Sequence, residues 1–299
     1  MRSKRALTYG GITLSMLFWA GSFIGYKVAY RYFEPMALIF FRMVLASIFL
    51  YLLIRLTGHS EKIRRQDWGA FLLLALFEPL LYFLGESYGM TMVSATTGSV
   101  IVTTIPLFTP FAAYLLWRER ITWIKAAGIV ISFAGVCMVL LGKGFRLTAP
   151  PAGVALMFMA VFSAVAYTGV IVNLAKKYKP ITIIWVQSFL GAVYFLPIFL
   201  LTDLKETLAM HFDWEVVLPL LFLAIFPSSL SFIFYTHAIR EIGITRANVF
   251  TNFIPVFTAV LSFMILDETL TGNKIIGIPV VLAGLMMTQI SLKKKDQTA

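Results

Sequence analysis

Ten apolar runs, each about twenty residues long and set apart by short polar stretches, constrain this chain more than any other feature. They lie at Thr8–Ala29, Pro35–Leu56, Trp68–Tyr88, Ser94–Trp117, Trp123–Leu141, Ala152–Leu174, Thr182–Leu201, Val216–His237, Ala247–Leu266 and Lys274–Ser291. The hydrocarbon core of a bilayer takes about 20 helical residues. Backbone amides in lipid must bond within a helix or around a closed barrel. None of the runs alternates polar and apolar residues as barrel strands do, so each is expected to be a spanning helix. Composition agrees, with 60% hydrophobic and 13% charged residues, where soluble domains carry roughly 25% charged. Ten spans use roughly 200 residues, which leaves no room in 299 for a soluble catalytic or nucleic-acid-binding domain. The expected fold is an all-α polytopic membrane protein.

The net charge of +11 would suggest nucleic acid on a soluble chain. On a membrane chain it reflects the cytoplasmic excess of Lys and Arg. With the N-terminus placed in the cytoplasm, 18 of the 25 basic residues fall on the cytoplasmic side, 6 on the outer side, and Arg42 within span 2. Both termini are therefore expected in the cytoplasm of a cell (inner) membrane protein. The start, Met1 to Arg5, looks like a signal-peptide n-region, but the apolar stretch continues past Trp19 without a cleavage site. It is expected to remain as the first span. A single cysteine, Cys137, excludes a disulfide framework and a thiolate metal cluster, and no cofactor is expected. The partners expected are a small-molecule substrate and the lipid bilayer, with a homodimer allowed and no nucleic acid.

The chain also repeats itself. Residues 96–135 align without a gap on residues 245–284, an offset of 149, with 13 identities in 40. They include Pro106/Pro255, Glu119/Glu268, Lys125/Lys274, Gly128/Gly277 and Gly135/Gly284. Apolar composition alone would not align prolines, glutamates, lysines and glycine pairs. The offset covers five spans, an odd number, so the second copy is expected upside down relative to the first. Inverted repeats are a construction of secondary transporters, whose substrate site lies near the midplane between the halves.

These residues carry a resemblance. Each half resembles an EamA-type module of the drug/metabolite transporter superfamily. The first half shows Phe18 to Phe23 in span 1, Phe41-Arg42 in span 2, Thr96 to Pro106 in span 4, then Glu119, Gly128 and Gly135. The second shows Pro255, Glu268, Gly277 and Gly284. The resemblance implies two five-helix repeats, residues 8–141 and an inverted 152–291. It also implies a central cavity lined by spans 1–4 and 6–9, with spans 5 and 10 peripheral. Glu78 and Glu86 in span 3 depart from the family's more usual pattern.

Ionisable groups in hydrocarbon are costly and point to a site facing a cavity. Arg42 lies seven residues into span 2, Glu78 near the midplane of span 3, and Glu86 eight residues further on. In the functional reading, Arg42 grips a substrate carboxylate by a forked pair of hydrogen bonds, and the glutamates bind an amine or carry a proton. In the purely structural one, Arg42 and Glu86 form an ion pair joining spans 2 and 3. Aligning Pro35 with Pro180 sets Gln187 opposite Arg42, and the 149 offset pairs Tyr82 with Ser231 and Glu86 with Tyr235. With Trp19 and Ser22 in mid-span 1, the expected substrate-binding residues are Trp19, Ser22, Arg42, Glu78, Tyr82, Glu86, Gln187, Ser231 and Tyr235. Pro79, Pro106, Pro227 and Pro255 interrupt spans 3, 4, 8 and 9 and either line the cavity or bend the helices. The glycine pairs of spans 5 and 10 and the Gly85–Gly89 pattern suggest close packing. Glu119 and Glu268 suggest loop anchors at span ends.

The function these features favour is secondary transport of a small polar organic metabolite by alternating access. The resemblance favours efflux of an amino acid or related compound. Import, or flipping of a larger or lipid-linked metabolite, is the alternative on the same fold. Glu78 is the expected proton site if protons drive the cycle. No G-x-x-x-x-G-K-[ST] loop is present to hydrolyse nucleotide, and no H-E-x-x-H motif or long loop could house an enzyme site. Channel behaviour would give no counterflow.

Overall fold

The computed structural model describes residues 2–59, 61–109, 122–141, 146–211 and 213–289. Among the described residues the chain is helical almost throughout, with one isolated bridge between Leu141 and Leu147. Eight helices are long and apolar enough to cross a membrane: Leu7–Ala29, Pro35–Thr57, Arg65–Met92, Trp123–Leu140, Pro151–Ala175, Pro180–Thr202, Trp214–Ile242 and Arg246–Ile265. Two shorter apolar helices, Ala95–Thr109 and Gly272–Thr288, supply span 4, as far as it is described, and span 10. The fold is all-α and polytopic, in two successive sets of five helices. Glu119 and Lys293 to Lys295 lie outside the described residues.

Local sequence sets where the helices begin and end. Spans 2, 6 and 7 start with a proline in the first turn, at Pro35, Pro151 and Pro180, where its missing N–H costs nothing. Span 2 stops at Gly58, whose φ of 66° suits a residue without a side chain. Ser94, Thr122 and Asp213 cap spans 4, 5 and 8 by accepting backbone N–H bonds in the first turn. Large apolar side chains such as Leu52, Val130, Val260 and Phe263 face outward, half or more exposed. That is the surface a lipid solvent demands and water would not tolerate.

The packing repeats the duplication. Span 5 packs along span 10, span 2 along span 7, and span 4 against span 9, while span 3 meets span 6 as span 1 meets span 8. Exchanging the two halves maps this set of partners onto itself. Spans 5 and 10 approach most closely through their glycines. A Cβ on Gly284 would lie 2.3 Å from the Ser132 nitrogen and 2.6 Å from the Gly128 oxygen. One on Gly135 would lie 2.6 Å from the Val281 nitrogen and 2.9 Å from the Gly277 oxygen. Gly128 therefore faces Gly284 and Gly135 faces Gly277, so the two equivalent helices run antiparallel.

Four spans break at mid-depth, in equivalent pairs. Span 3 opens into a wide turn at Leu76–Leu81 around Pro79, with Glu78 extended at φ −142° and ψ 116°. Span 8 does so at Phe226–Leu230 around Pro227. The first helical stretch of span 4 ends at Val102 and that of span 9 at Phe250, each a few residues before its proline. A prolyl nitrogen donates no bond, so carbonyls near it go unpaired, and in a membrane interior they must find other donors. Trp19 Nε1 donates to the Pro227 carbonyl at 3.2 Å, Ser163 Oγ to that of Phe77 at 2.6 Å, and Ser229 Oγ to that of Ala224 at 2.8 Å.

Candidate functional site

The breaks converge on a central cavity with about 850 Å³ of atom-free space, mouth included. Spans 1, 2, 3, 4, 6, 8 and 9 contribute to its wall, and spans 5 and 10 do not. Its reach is uneven. On one face it stops at Arg42 and Glu86, seven and six residues inside the ends of spans 2 and 3. On the other it extends to Asn248 and Ile171, two and four residues from the ends of spans 9 and 6. The second face carries Lys176, Lys177, Arg240 and Arg246.

The shallow end is closed by a network centred on Tyr26. Arg42 Nη1 donates to the Tyr26 hydroxyl at 2.7 Å, and Tyr26 donates onward to Glu86 Oε2 at 2.8 Å. Arg42 Nε donates to Ser228 Oγ at 2.5 Å, which ties span 2 to the break in span 8. Tyr82 donates to the other Glu86 oxygen at 2.9 Å. The Arg42 guanidinium also lies 4.6 Å from the Phe83 ring centroid and 5.3 Å from that of Tyr26. All of these groups are buried. Arg42 and Glu86 thus communicate through a tyrosine hydroxyl and are not a direct ion pair. Among the described residues the ion pairs are Lys177–Asp67 at 2.7 Å and Lys274–Glu268 at 2.6 Å.

Toward the deep end the wall becomes aromatic. Trp19 meets Phe232 and Tyr235 edge-on, with ring centroids 5.1 and 5.0 Å apart, and the Tyr235 hydroxyl donates to Asn248 Oδ1. Glu78 sits between the two ends, only 6% exposed. Its carboxyl lies within electrostatic reach of Glu86, of Arg42 and of the Tyr167 and Tyr235 hydroxyls.

Seven of the nine residues expected from sequence line this cavity: Trp19, Ser22, Arg42, Glu78, Tyr82, Glu86 and Tyr235. Two do not. Ser231 is fully buried against span 1, where its hydroxyl donates to the Ser15 carbonyl at 3.3 Å and Ser15 returns a 2.6 Å bond. Gln187 lies one layer behind the wall, because Tyr167 of span 6 stands in front and donates to Gln187 Oε1 at 3.1 Å. Span 7 accordingly contributes nothing to the lining, contrary to the sequence expectation. Sequence reasoning missed Tyr26, Tyr167, Ser228 and Asn248. Tyr26 was within reach of it, since it follows Trp19 by seven residues and so shares its helical face.

Beyond the shallow end, polar ties join the spans. Asp203 Oδ2 accepts from the Met36 and Ala37 nitrogens, each at 2.8 Å, at the start of span 2. Lys27 Nζ donates to the Met90 carbonyl at 2.6 Å, and Tyr30 donates to that of Ser87 at 2.8 Å. Glu268 is the loop anchor expected of it: its carboxylate accepts from Ser94 at 2.7 Å, Lys274 at 2.6 Å and Ser262. Burial pushes this carboxyl's pKa up, but the hydrogen bonds from Lys274, Ser262 and Ser94 outweigh burial and bring it down to about 2. Among the described residues, no three His, Cys, Asp or Glu side chains come together as a metal site would require.

Comparison with known proteins agrees with this architecture. The chain is 28% identical over 291 residues to an uncharacterized transporter of Archaeoglobus fulgidus, covering 96% of this chain and 98% of the relative. A second from that organism is 26% identical over 92% of this chain and 95% of its own. The uncharacterized transporter YcxC of Bacillus subtilis is 26% identical over 92% and 90%. A solved crystal structure superposes with a TM-score of 0.68 at 15% identity, covering 95% of this chain and 98% of that one, and shares the fold alone. The profile of the EamA-like transporter family matches twice, over residues 7–141 and 151–290. This multi-pass membrane protein therefore belongs to the EamA-like transporter family and is a permease rather than an enzyme.

Proposed function

We propose that the protein is a secondary transporter that exports a small polar organic metabolite, an amino acid or related compound, across the cell membrane by alternating access. The observation that carries this reading is the central cavity built by both halves at the level where four spans break. Helix breaks at mid-depth free backbone and supply the hinge points that rocking of one half against the other requires. The antiparallel crossing of spans 5 and 10 supports an inverted relation between the halves. The 18-to-6 distribution of basic residues supports cytoplasmic termini. In that orientation the deep end of the cavity faces the cytoplasm, as loading of an exporter requires.

The test is flux into proteoliposomes from a panel of amino acids and their decarboxylated analogues. Saturable uptake with counterflow, abolished by Glu78→Gln, is the expected result. Absence of flux for every compound, or linear flux without counterflow, would overturn it.

A further inference from the structure

Among the described residues, one acidic side chain of the cavity takes no hydrogen bond and no ion pair. Arg42 is engaged by Ser228 and Tyr26 and lies over Phe83. Both Glu86 oxygens accept tyrosine hydroxyls. Among the described residues, the Glu78 carboxylate, which lines the cavity and is 6% exposed, accepts no hydrogen bond and pairs with no cation. An ionised carboxylate withdrawn from water is costly unless a cation or a donor meets it. The surrounding wall supplies apolar and π faces from Trp19, Tyr82, Tyr167, Phe232 and Tyr235, surfaces that attract organic cations.

We propose that this cavity takes an organic ammonium ion with an apolar body of aromatic size, its cationic nitrogen held by Glu78. The assignment rests on the transporter reading above and sharpens its substrate class. The extended backbone at Glu78 carries the carboxyl out of the helical register of span 3, between the tyrosine-capped Glu86 and the aromatic group of Trp19, Phe232 and Tyr235. A ligand bound there satisfies the buried charge and covers the aromatic faces together. A ligand anion is less well placed. Two carboxylates line the same wall and repel it, and Arg42, already bonded to Tyr26 and Ser228, offers it only the N–H groups those bonds leave over. A zwitterion stands between the two cases.

Three matched probes, phenethylamine, phenylalanine and 3-phenylpropionate, share one ring and differ in charge. Their binding to the detergent-purified full chain is measured by calorimetry. Phenethylamine is expected to bind about tenfold or more tighter than the other two, a gap of about 1.4 kcal/mol, and to lose that affinity in Glu78→Gln. Tighter binding of phenylalanine or 3-phenylpropionate, unchanged phenethylamine affinity in Glu78→Gln, or no phenethylamine binding at millimolar concentration would each overturn the assignment. If Glu78→Gln fails to fold, the ranking of the three probes on the native chain still decides. Saturable flux and counterflow of the wider panel by the native chain are independent of this outcome, so the site assignment can fail while the transporter reading stands.

Discussion

Tyr26 holds two charged side chains on one oxygen, accepting from Arg42 and donating to Glu86. In Tyr26→Phe both lose a partner where each is no more than 3% exposed, and a charged group left so costs more than a neutral one. A loss of about 2–3 kcal/mol in detergent denaturation is expected. Tyr30→Phe, which removes bonds to the carbonyl and hydroxyl of Ser87 only, all neutral groups, should cost about 1 kcal/mol. Equal losses would show that the Arg42–Tyr26–Glu86 chain contributes no more than an ordinary hydrogen bond. Much of this site was legible in sequence, because ionisable residues in an apolar run announce themselves. Arg42, Glu78 and Glu86 needed no structure to be singled out. Their partners did: a buried tyrosine looks the same in sequence whether it bridges charges, as Tyr26 does, or shields a neighbour, as Tyr167 shields Gln187. Ser231 was misplaced although the offset holds for its neighbours, since Phe83 and Phe232, and Glu86 and Tyr235, all line the cavity. Its short side chain is taken up by Ser15 of span 1, a tertiary contact the alignment does not carry.

At the scale of the helix, the pattern of glycines and prolines carried most of the fold. The glycine pairs of spans 5 and 10 predicted a close crossing and the structure has one, because any side chain at these positions meets backbone, which cannot yield. Gly284→Ala would bring a Cβ to 2.3 Å from the Ser132 nitrogen. It should destabilise by about 1–3 kcal/mol. Gly169→Ala, with nothing within 4 Å, should be neutral or stabilise by about 0.5–1 kcal/mol. A thermal melt in detergent compares the two, and a tolerated Gly284→Ala would mean the crossing is loose. The prolines foretold breaks in spans 3, 4, 8 and 9, but not which carbonyls would be freed or that Trp19 and Ser163 would meet them, since that depends on tertiary neighbours. The anchor at Glu268 links spans 4, 9 and 10 and adds an acid dependence. Its pKa falls from an ordinary 4.5 to about 2 on folding, so its contribution is complete above the unfolded value and is lost as pH drops from 4.5 toward 2. That contribution amounts to up to about 3 kcal/mol. Glu268→Gln should therefore melt lower than the native chain at pH 7, with the difference shrinking at pH 3. A difference independent of pH would exclude a charged anchor.

For the molecule as a whole, the decisive feature is that the cavity is shallow on one face and deep on the other, while its two sets of five helices pack as interchangeable halves. A site that lies nearer one face than the other transports only if the arrangement has a counterpart displaced toward the opposite face. The ties between the halves that must part in that exchange lie on the shallow side, at Asp203–Met36, Asp203–Ala37 and Glu268–Ser94. Sided labelling reads this directly. In a Cys137→Ser background, Thr251→Cys at the deep end should react with an impermeant maleimide added on the side of the basic loops. Ser87→Cys, beyond the Arg42–Tyr26–Glu86 layer, should stay protected from that side. Weakening a tie shifts the balance by its differential energy and no more, so Glu268→Gln, at a cost of about 1–2 kcal/mol, should raise labelling of Thr251→Cys from the opposite face about fivefold or more. Labelling of Thr251→Cys from the opposite face alone in the unaltered background would reverse the assignment of the open side. Labelling from both faces at once, insensitive to Glu268→Gln, would mean a continuous pore, and alternating access would have to be given up.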